Sequence, residues 1–261
     1  VSIGATGKLD MIVSYNKISQ VTTNHVVSID DGNGVNTTLN FQVKYLINSI
    51  NKVENLLFFS DNVNPPRFID VNKNYADPVG NIDQFSAESI LVIKKPPVAS
   101  PAIRQFSTSQ SETYMDERFI CFAYRYKYSN NEYSATSQWS LPAFSPKPFN
   151  LSLESALNEG MVNNFNTVEV TYNTGSSLVT EIELLFKEAS SNTINIIESF
   201  NKNELGLGDN NNETMMFDNN KIFTILADSE ILRLYDNVPL LAKAQTIMGN
   251  RLMYGNYVEG Y

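Results

Sequence analysis

The chain has a single histidine, His25, and a single cysteine, Cys121, so imidazole or thiolate chemistry would have to pass through those two residues. A Ser-His-Asp triad would need His25 as its base. That residue lies in Thr22-Thr23-Asn24-His25-Val26, a β-forming run, and no Gly-x-Ser-x-Gly elbow occurs in the sequence. His25 therefore reads as a strand residue. Cys121 sits in the apolar run Phe119-Ile120-Cys121-Phe122-Ala123 and reads as a small core residue rather than a nucleophile. Structural zinc takes several Cys or His ligands, and a disulfide takes a second cysteine, so neither is expected within one chain.

Other chemistry has only partial signatures. Gly4-Ala5-Thr6-Gly7-Lys8 resembles a phosphate loop, but the glycine spacing is wrong and Leu9 stands where a magnesium-binding hydroxyl is required. Asp30-Asp31-Gly32-Asn33-Gly34 offers oxygens to calcium without the EF-hand spacing, and it reads as a turn. Asp209-Asn210-Asn211-Asn212 reads the same way. Two carboxylates for glycoside hydrolysis can be remote in sequence, so spacing does not exclude them. Against that role, Trp139 is the only tryptophan, whereas sugar platforms use more. The expectation is a protein that is not an enzyme, with no catalytic, cofactor-binding or metal-binding residues and no cofactor.

The elements that would position any site are mostly strands. Met11–Tyr15 and Val21–Ile29 are β-rich runs, and Phe41, Val43 and Tyr45 alternate with Gln42 and Lys44 at the period of a half-buried strand. Leu56–Ser60 is apolar throughout and stops at Asp61-Asn62-Val63-Asn64-Pro65-Pro66, after which Arg67–Val71 returns as the second arm of a hairpin. Lys94-Lys95-Pro96-Pro97-Val98-Ala99-Ser100-Pro101 marks a boundary. Beyond it, Phe122, Tyr124, Tyr126 and Tyr128 share one face of a strand and Arg125 and Lys127 the other. Ser129–Glu132 turns, Tyr133–Ser137 returns, and Trp139 anchors a core. Residues 150–164 carry a helical pattern ending at Gly160. Residues 167–172, 181–187 and 193–198 are strands at the spacing of an immunoglobulin-like sandwich. Residues 201–220 are polar and read as a loop. Short helices are expected at 229–234, after Asp228, and at 240–245, after Pro239, with Gly249 as a C-cap.

The fold class that follows is all-β (mainly β): a fibronectin/immunoglobulin-like sandwich plus propeller-like β-hairpins, with few short helices near the C-terminus. Its expected divisions are a β-rich N-terminal segment over 1–95, one or two sandwich modules over 96–200, and a loop and short-helix connector over 201–261. The length of 261 residues is enough to bury a core without staples. Net charge is −9, which argues against a dedicated nucleic-acid binder but does not exclude a wall past which DNA slides, since repulsion would discourage sticking. No apolar run approaches membrane-spanning length, so no membrane anchor is expected. The start at Val1 and the stop at Tyr261 predict a piece of a longer protein. Asn-x-Ser/Thr matches at Asn36, Asn150 and Asn212 are read as chance in so Asn-rich a chain.

Three segments, in order, carry a family resemblance. They are Asn55-Leu56-Leu57-Phe58-Phe59-Ser60-Asp61-Asn62-Val63-Asn64-Pro65-Pro66-Arg67; Phe122–Tyr128 followed by Glu132-Tyr133-Ser134-Ala135; and Arg233-Leu234-Tyr235-Asp236-Asn237-Val238-Pro239, continuing as Ala242–Gln245 and Gly249–Tyr257. Together they resemble the tail nozzle, muzzle or tail-stabilisation proteins of crAss-like, short-tailed bacteriophages. The resemblance implies β-propeller and sandwich domains in a hexameric ring that closes or lines the DNA exit channel and holds neighbouring tail proteins. It implies a virion location in the phage tail, synthesis in the bacterial host cytoplasm, and passage of genomic DNA without sequence-specific binding. Partners would be copies of the chain itself and other phage tail proteins. The alternative is a carbohydrate-binding or depolymerising tail adhesin.

Overall fold

The computed structural model describes residues 9–29, 38–47, 49–73, 75, 85–109, 114–231 and 238–259. In chain order its strands are β1 (Leu9–Tyr15), β2 (Thr22–Ile29), β3 (Ser49–Val53), β4 (Leu56–Ser60), β5 (Arg67–Asp70), β6 (Ala102–Phe106) and β7 (Ile120–Tyr128). They continue as β8 (Thr167–Asn173), β9 (Val179–Glu188), β10 (Asn195–Asn201), β11 (Asn212–Phe217), β12 (Thr224–Ile225), β13 (Leu241–Met248) and β14 (Arg251–Val258). Among the described residues a 3-10 turn (Ala87–Ile90) and two α-helices of one turn, α1 (Lys202–Leu205) and α2 (Asp228–Ile231), complete an all-β fold. The chain divides into two compact units, residues 1–93 with 236–261, and residues 94–235. The first unit thus takes in the C-terminal segment that the sequence assigns to a connector, and the second runs past 200 to 235.

In the first unit β1 and β2 form a hairpin with a bulge between Ile12 and Val13, and β3, β4 and β5 form an antiparallel meander. Val26, Leu39, Phe59, Ile69 and Ile90 make its core. The segment expected as a helix at 240–245 is instead strand β13, paired with β14 from Leu241↔Val258 to Met248↔Arg251. Helix propensity over six residues is a weak prior, and a cross-strand ladder overrides it. Gly249 is not a helix cap. It and Asn250 occupy the two-residue turn with φ of 57° and 59°, the geometry that a type I′ hairpin demands. The Ser60 hydroxyl donates to the Ala242 carbonyl, and the Gln245 N–H donates to Ser49 Oγ at 3.1 Å, so this hairpin is tied to β3 and β4. Residues 41–45 are not a strand. The Phe41 N–H is held by Asp10 Oδ2 at 2.9 Å, and the chain turns at once, with the Tyr45 N–H donating to Gln42 O.

The second unit is a two-layer sandwich. One sheet has the order β11-β8-β6 and the other β12-β10-β9-β7. The chain crosses between layers at every connection except the β9–β10 hairpin. Phe122, Val168, Val170, Phe186 and Phe217 fill one half of the interface. Tyr124, Tyr126, Tyr172, Ile182 and Leu184 fill the other. Each such side chain contributes about 1.5–3 kcal/mol by leaving water. The alternation of Phe122, Tyr124, Tyr126 and Tyr128 against Arg125 and Lys127 appears as expected, but β7 is buried on both faces.

The outer edge of β7 is closed by an unusual ribbon, residues 132–143. After a bridge at Tyr133, the expected returning strand does not form. Instead Ser134, Ser137 and Ser140 donate their N–H groups to the carbonyls of Tyr126, Tyr124 and Phe122, each at 2.8 Å. Their hydroxyls accept from the N–H groups of the same three residues at 2.9–3.0 Å. Each hydroxyl then donates to the carbonyl of the following residue. Three ribbon residues therefore match two strand residues, and serine at every third position supplies the acceptor that a strand backbone would have supplied.

Two more expectations are corrected here. Residues 150–164 are not helical. The Asn158 side chain accepts from the N–H groups of Asn150 and Gly160, which competes with helix formation, and the segment 145–164 is an irregular paired arm. A Cβ on Gly160 would lie 2.1 Å from Pro148 O, so the close approach of the two sides requires glycine. Residues 201–220 are not a loop throughout. Asn201 caps α1, Gly206 ends it at φ 64°, and β11 follows.

Ser137→Ala strips the acceptor from the buried Tyr124 N–H. The expected cost is about 1–3 kcal/mol, read by urea unfolding, with amide exchange accelerated at Tyr124 more than at the β9-facing amides of β7. Unchanged stability and exchange would show that the serine ladder does not support the edge.

Candidate functional site

In the second unit the outer face of the four-stranded sheet carries a buried charge network. The register pairs Arg125 with Glu183 and Lys127 with Glu181 across β7 and β9. Arg125 Nε donates to Glu183 Oε2 at 2.5 Å, and both side chains are 6% exposed. Its Nη1 reaches Glu230 of α2 at 2.7 Å, and the guanidinium lies 4.1 Å from the Tyr133 ring centroid. Lys127 bonds Glu181 at 2.9 Å, and that hydrogen bond raises its pKa. A guanidinium this dry is tolerated because two carboxylates and an aromatic face replace its water. Beside the network, Ala123, Leu185, Ile194 and Leu226 form a small apolar cluster under Trp139, whose ring takes the Lys187 ammonium at 4.6 Å.

The residues singled out for chemistry are used in structural ways. His25 Nδ1 lies 3.0 Å from Val71 O and Nε2 lies 2.8 Å from Ser14 Oγ, so the ring bridges β1 to the segment after β5. The pairing places a serine against the only imidazole, but Ser14 lies in the extended ladder of β1 opposite Thr23, not on a sharp turn. Cys121 is buried in β7, and burial raises its thiol pKa above the ordinary value, the opposite of activation. Asp209 gives its Oδ1 to Lys202 Nζ at 2.7 Å, and that ammonium is also bound by the carbonyls of Ser176, at 2.9 Å, and Gly175. An internal cation thus occupies the oxygens that a metal would use. The glycine-rich segment 4–8 and the Asp30–Gly34 turn lie outside the described residues. Among the described residues no three His, Cys, Asp or Glu side chains converge as a metal site, and no helix is long and apolar enough to cross a membrane.

The first segment of the family resemblance folds around Arg67, which is 3% exposed. Its Nη2 donates to Asp61 Oδ2 at 2.9 Å and its Nη1 to Leu39 O at 2.6 Å. The guanidinium lies 5.4 and 5.1 Å from the ring centroids of Phe41 and Phe59. Burial lowers its pKa, and the carboxylates of Asp61 and Asp10 oppose that shift. Asp61 also accepts the N–H groups of Val63 and Asn64, which shapes the turn before the two prolines. The second segment is β7 with the start of the serine ribbon. The third lies partly outside the described residues, and its remainder is the β13–β14 hairpin.

The second unit also has an open cleft of about 570 Å³, which sequence reasoning missed. Phe186 and Phe223 form part of its wall, with Tyr114, Arg118 and Lys221 around them. Of its three carboxylates, Glu188 pairs with Arg118 and Asp116 with Lys147 at 3.6 Å, and Glu117 also lines the cleft. Next to the cleft Ile222 is fully exposed. At the root of the 145–164 arm, Asn163 Nδ2 donates to the carbonyls of Met115 and Arg118. Along the arm Phe149, Leu151, Leu153, Leu157 and Met161 are all exposed, Leu153 at 93%. This apolar series was hidden in sequence by its helical spacing.

No protein-family model matches the chain, and no curated protein matches it either.

Arg125→Met leaves Glu183 buried with its main partner gone. A loss of about 3–5 kcal/mol is expected, measured by denaturant unfolding, whereas Arg125→Met with Glu183→Met should recover most of it. A double variant as unstable as the single one would sink the account.

Tyr172 provides a pH test. Burial, then the carboxylates of Glu213 and Glu198, push its pKa from the ordinary 10.0 up to about 12. Because ionisation is easier in the unfolded chain, this residue's contribution is complete below pH 10 and is lost as pH rises towards 12. Tyr172→Phe should flatten the fall in unfolding free energy between those values; an identical fall in both proteins would refute it.

Proposed function

We propose that the chain is a structural component of a phage tail nozzle, or muzzle, of the crAss-like type. Copies assemble into a ring that closes or lines the DNA exit channel and holds neighbouring tail proteins. The observation that carries this reading is the 145–164 arm, whose contiguous exposed apolar side chains are the mark of a surface made to be covered. The hairpin of β1 and β2 adds a second apolar tip, with Val13, Tyr15, Ile18 and Val21 exposed in the first unit. Buried ion clusters around Arg67 and Arg125 suit a rigid body that bears load rather than one that opens for substrate. The net charge of −9 favours a wall that repels passing phosphate.

The rival reading, a carbohydrate-binding or depolymerising adhesin, finds its foothold in the cleft, where aromatic and carboxylate side chains meet. Two of its three carboxylates, Glu188 and Asp116, are engaged by cations, which leaves Glu117 as the one not so paired among the described residues and the reading weaker.

Electron microscopy of purified virions, with antibody against this chain, should place it at the distal end of a short tail. Labelling of the capsid shell, or absence of the protein from virions, would end the proposal; binding on a glycan array would favour the adhesin.

A further inference from the structure

The outer half of the β1–β2 hairpin belongs to no core. Its inner half is anchored where Ile12 pairs with Val26, both packed in the core of the first unit. From Val13 to Asn24 every residue is exposed. Ile18 stands at the apex, 96% exposed. Side chains alternate along a strand, so Val13 and Tyr15 lie on one face and Val21 on the other. The tip is therefore apolar at its apex and on both sides.

The turn itself is closed. Asn16 N–H donates to Val21 O at 2.9 Å, and Gln20 N–H donates to Asn16 O at 2.8 Å. Asn16 Oδ1 accepts from the N–H groups of Ile18 and Ser19, at 2.9 and 3.2 Å. Gln20 completes the turn at φ 58°. The N–H groups of Asn16, Ile18, Ser19 and Gln20 are thus spent inside the loop. Such an apex can enter a medium that supplies no hydrogen bonds without leaving those donors unmet. It is also preformed, so contact adds little ordering cost.

Charge at the tip departs from charge elsewhere. The chain has 28 Asp and Glu residues, yet none falls between Met11 and Ile29. Lys17 adjoins the apex, and its stem can lie along apolar surface with its ammonium among phosphates. Tyr15 supplies the kind of ring, apolar in body and polar at its end, that settles at a headgroup boundary. A flat protein partner would cover one face of this hairpin, whereas a bilayer surrounds a tip on all sides. The acidic remainder of the chain is repelled by lipid phosphates, which leaves the tip as the part that can approach.

We infer that the β1–β2 tip inserts into the headgroup boundary of a lipid bilayer, with Ile18 deepest, Tyr15 and Val21 beside it, and Lys17 at the phosphates. The contact is peripheral, made by a turn and not by a span. It goes beyond the nozzle reading, which asks only that exposed apolar tips be covered.

The test is flotation of the purified chain with phosphatidylcholine vesicles at high lipid concentration. Wild type should float, and added salt should not release it, because apolar insertion carries the contact. Ile18→Asp with Val21→Asp should lower the partition coefficient by about tenfold or more. Leu153→Glu, on the arm of the other unit, should float like wild type. Ile18→Trp should still bind, its emission moving to the blue and quenched by lipids brominated on their acyl chains. That signal is gained at the tip itself, so a folding defect does not imitate it. A wild type left behind by the vesicles, flotation indifferent to the two aspartates, or Ile18→Trp emission unmoved by lipid overturns the inference. So does sedimentation showing that the tip instead joins two copies of the chain without lipid.

Discussion

A nine-residue strand buried on both faces must still satisfy the backbone groups along its outer edge, and β7 has a paired strand, β9, on one side only. Water is not available there in a form that substitutes for hydrogen bonds, and an open edge invites pairing with another chain. The ribbon at 132–143 solves both problems. Because serine supplies donor and acceptor at one position, the ribbon advances at its own pitch and still saturates the strand. Once the edge is closed, the aromatic side chains of β7 can pack inward against both layers, and its charged side chains can be covered on the other face by Tyr133 and α2. The sandwich core and the outer ion network both require this strand to be held.

Buried cations recur as the way this chain fixes its irregular parts. Arg67 is enclosed by Asp61, the Leu39 carbonyl and two phenyl rings, and it gathers the turn before β5. Arg125 joins β7, β9 and α2. Lys202 gathers the turn after β8 and the loop before β11 through two carbonyls and Asp209. A charge withdrawn from water is strongly destabilising unless each hydrogen-bonding group is met, so each cluster permits few alternative geometries. Such clusters give stiffness and specificity of arrangement rather than net stability. They also consume carboxylates and carbonyls that might otherwise serve a ligand, as Asp209 and the Ser176 carbonyl do for Lys202.

The surface is consistent with a body that works by being docked against. Exposed apolar side chains are scattered over the described surface, with runs of them on the arm at 145–164 and on the tip of the β1–β2 hairpin, while the overall charge is strongly negative. A negative surface keeps such a protein soluble and discourages adhesion to nucleic acid. In the nozzle proposal these two properties have separate tasks, contact between proteins and passage of DNA.

Local pattern determined a good deal. Period-two alternation specified β7 to the residue pair, the apolar run before Asp61 and the two prolines specified the β4–β5 hairpin, and the all-β class followed from the spacing of such runs. The burial of Cys121 and the strand setting of His25 were also legible, because short apolar or β-branched runs reveal their surroundings. What tertiary structure decided has a common cause: pairing between segments remote in sequence. Residues 240–245 have a helical composition, yet pairing with β14 and ties to β3 and β4 place them in strand β13. Residues 150–164 have a helical spacing, yet Asn158 and the Pro148–Gly160 approach make them an arm. Arg125 and Glu183 are 58 residues apart, and only the β7–β9 register brings them together. The serine repeat at 134, 137 and 140 was in plain view but carried no meaning until β7 offered it an edge. Hydrogen-bond partners are chosen by proximity in space, and a chain's own periodicity describes only its near neighbours.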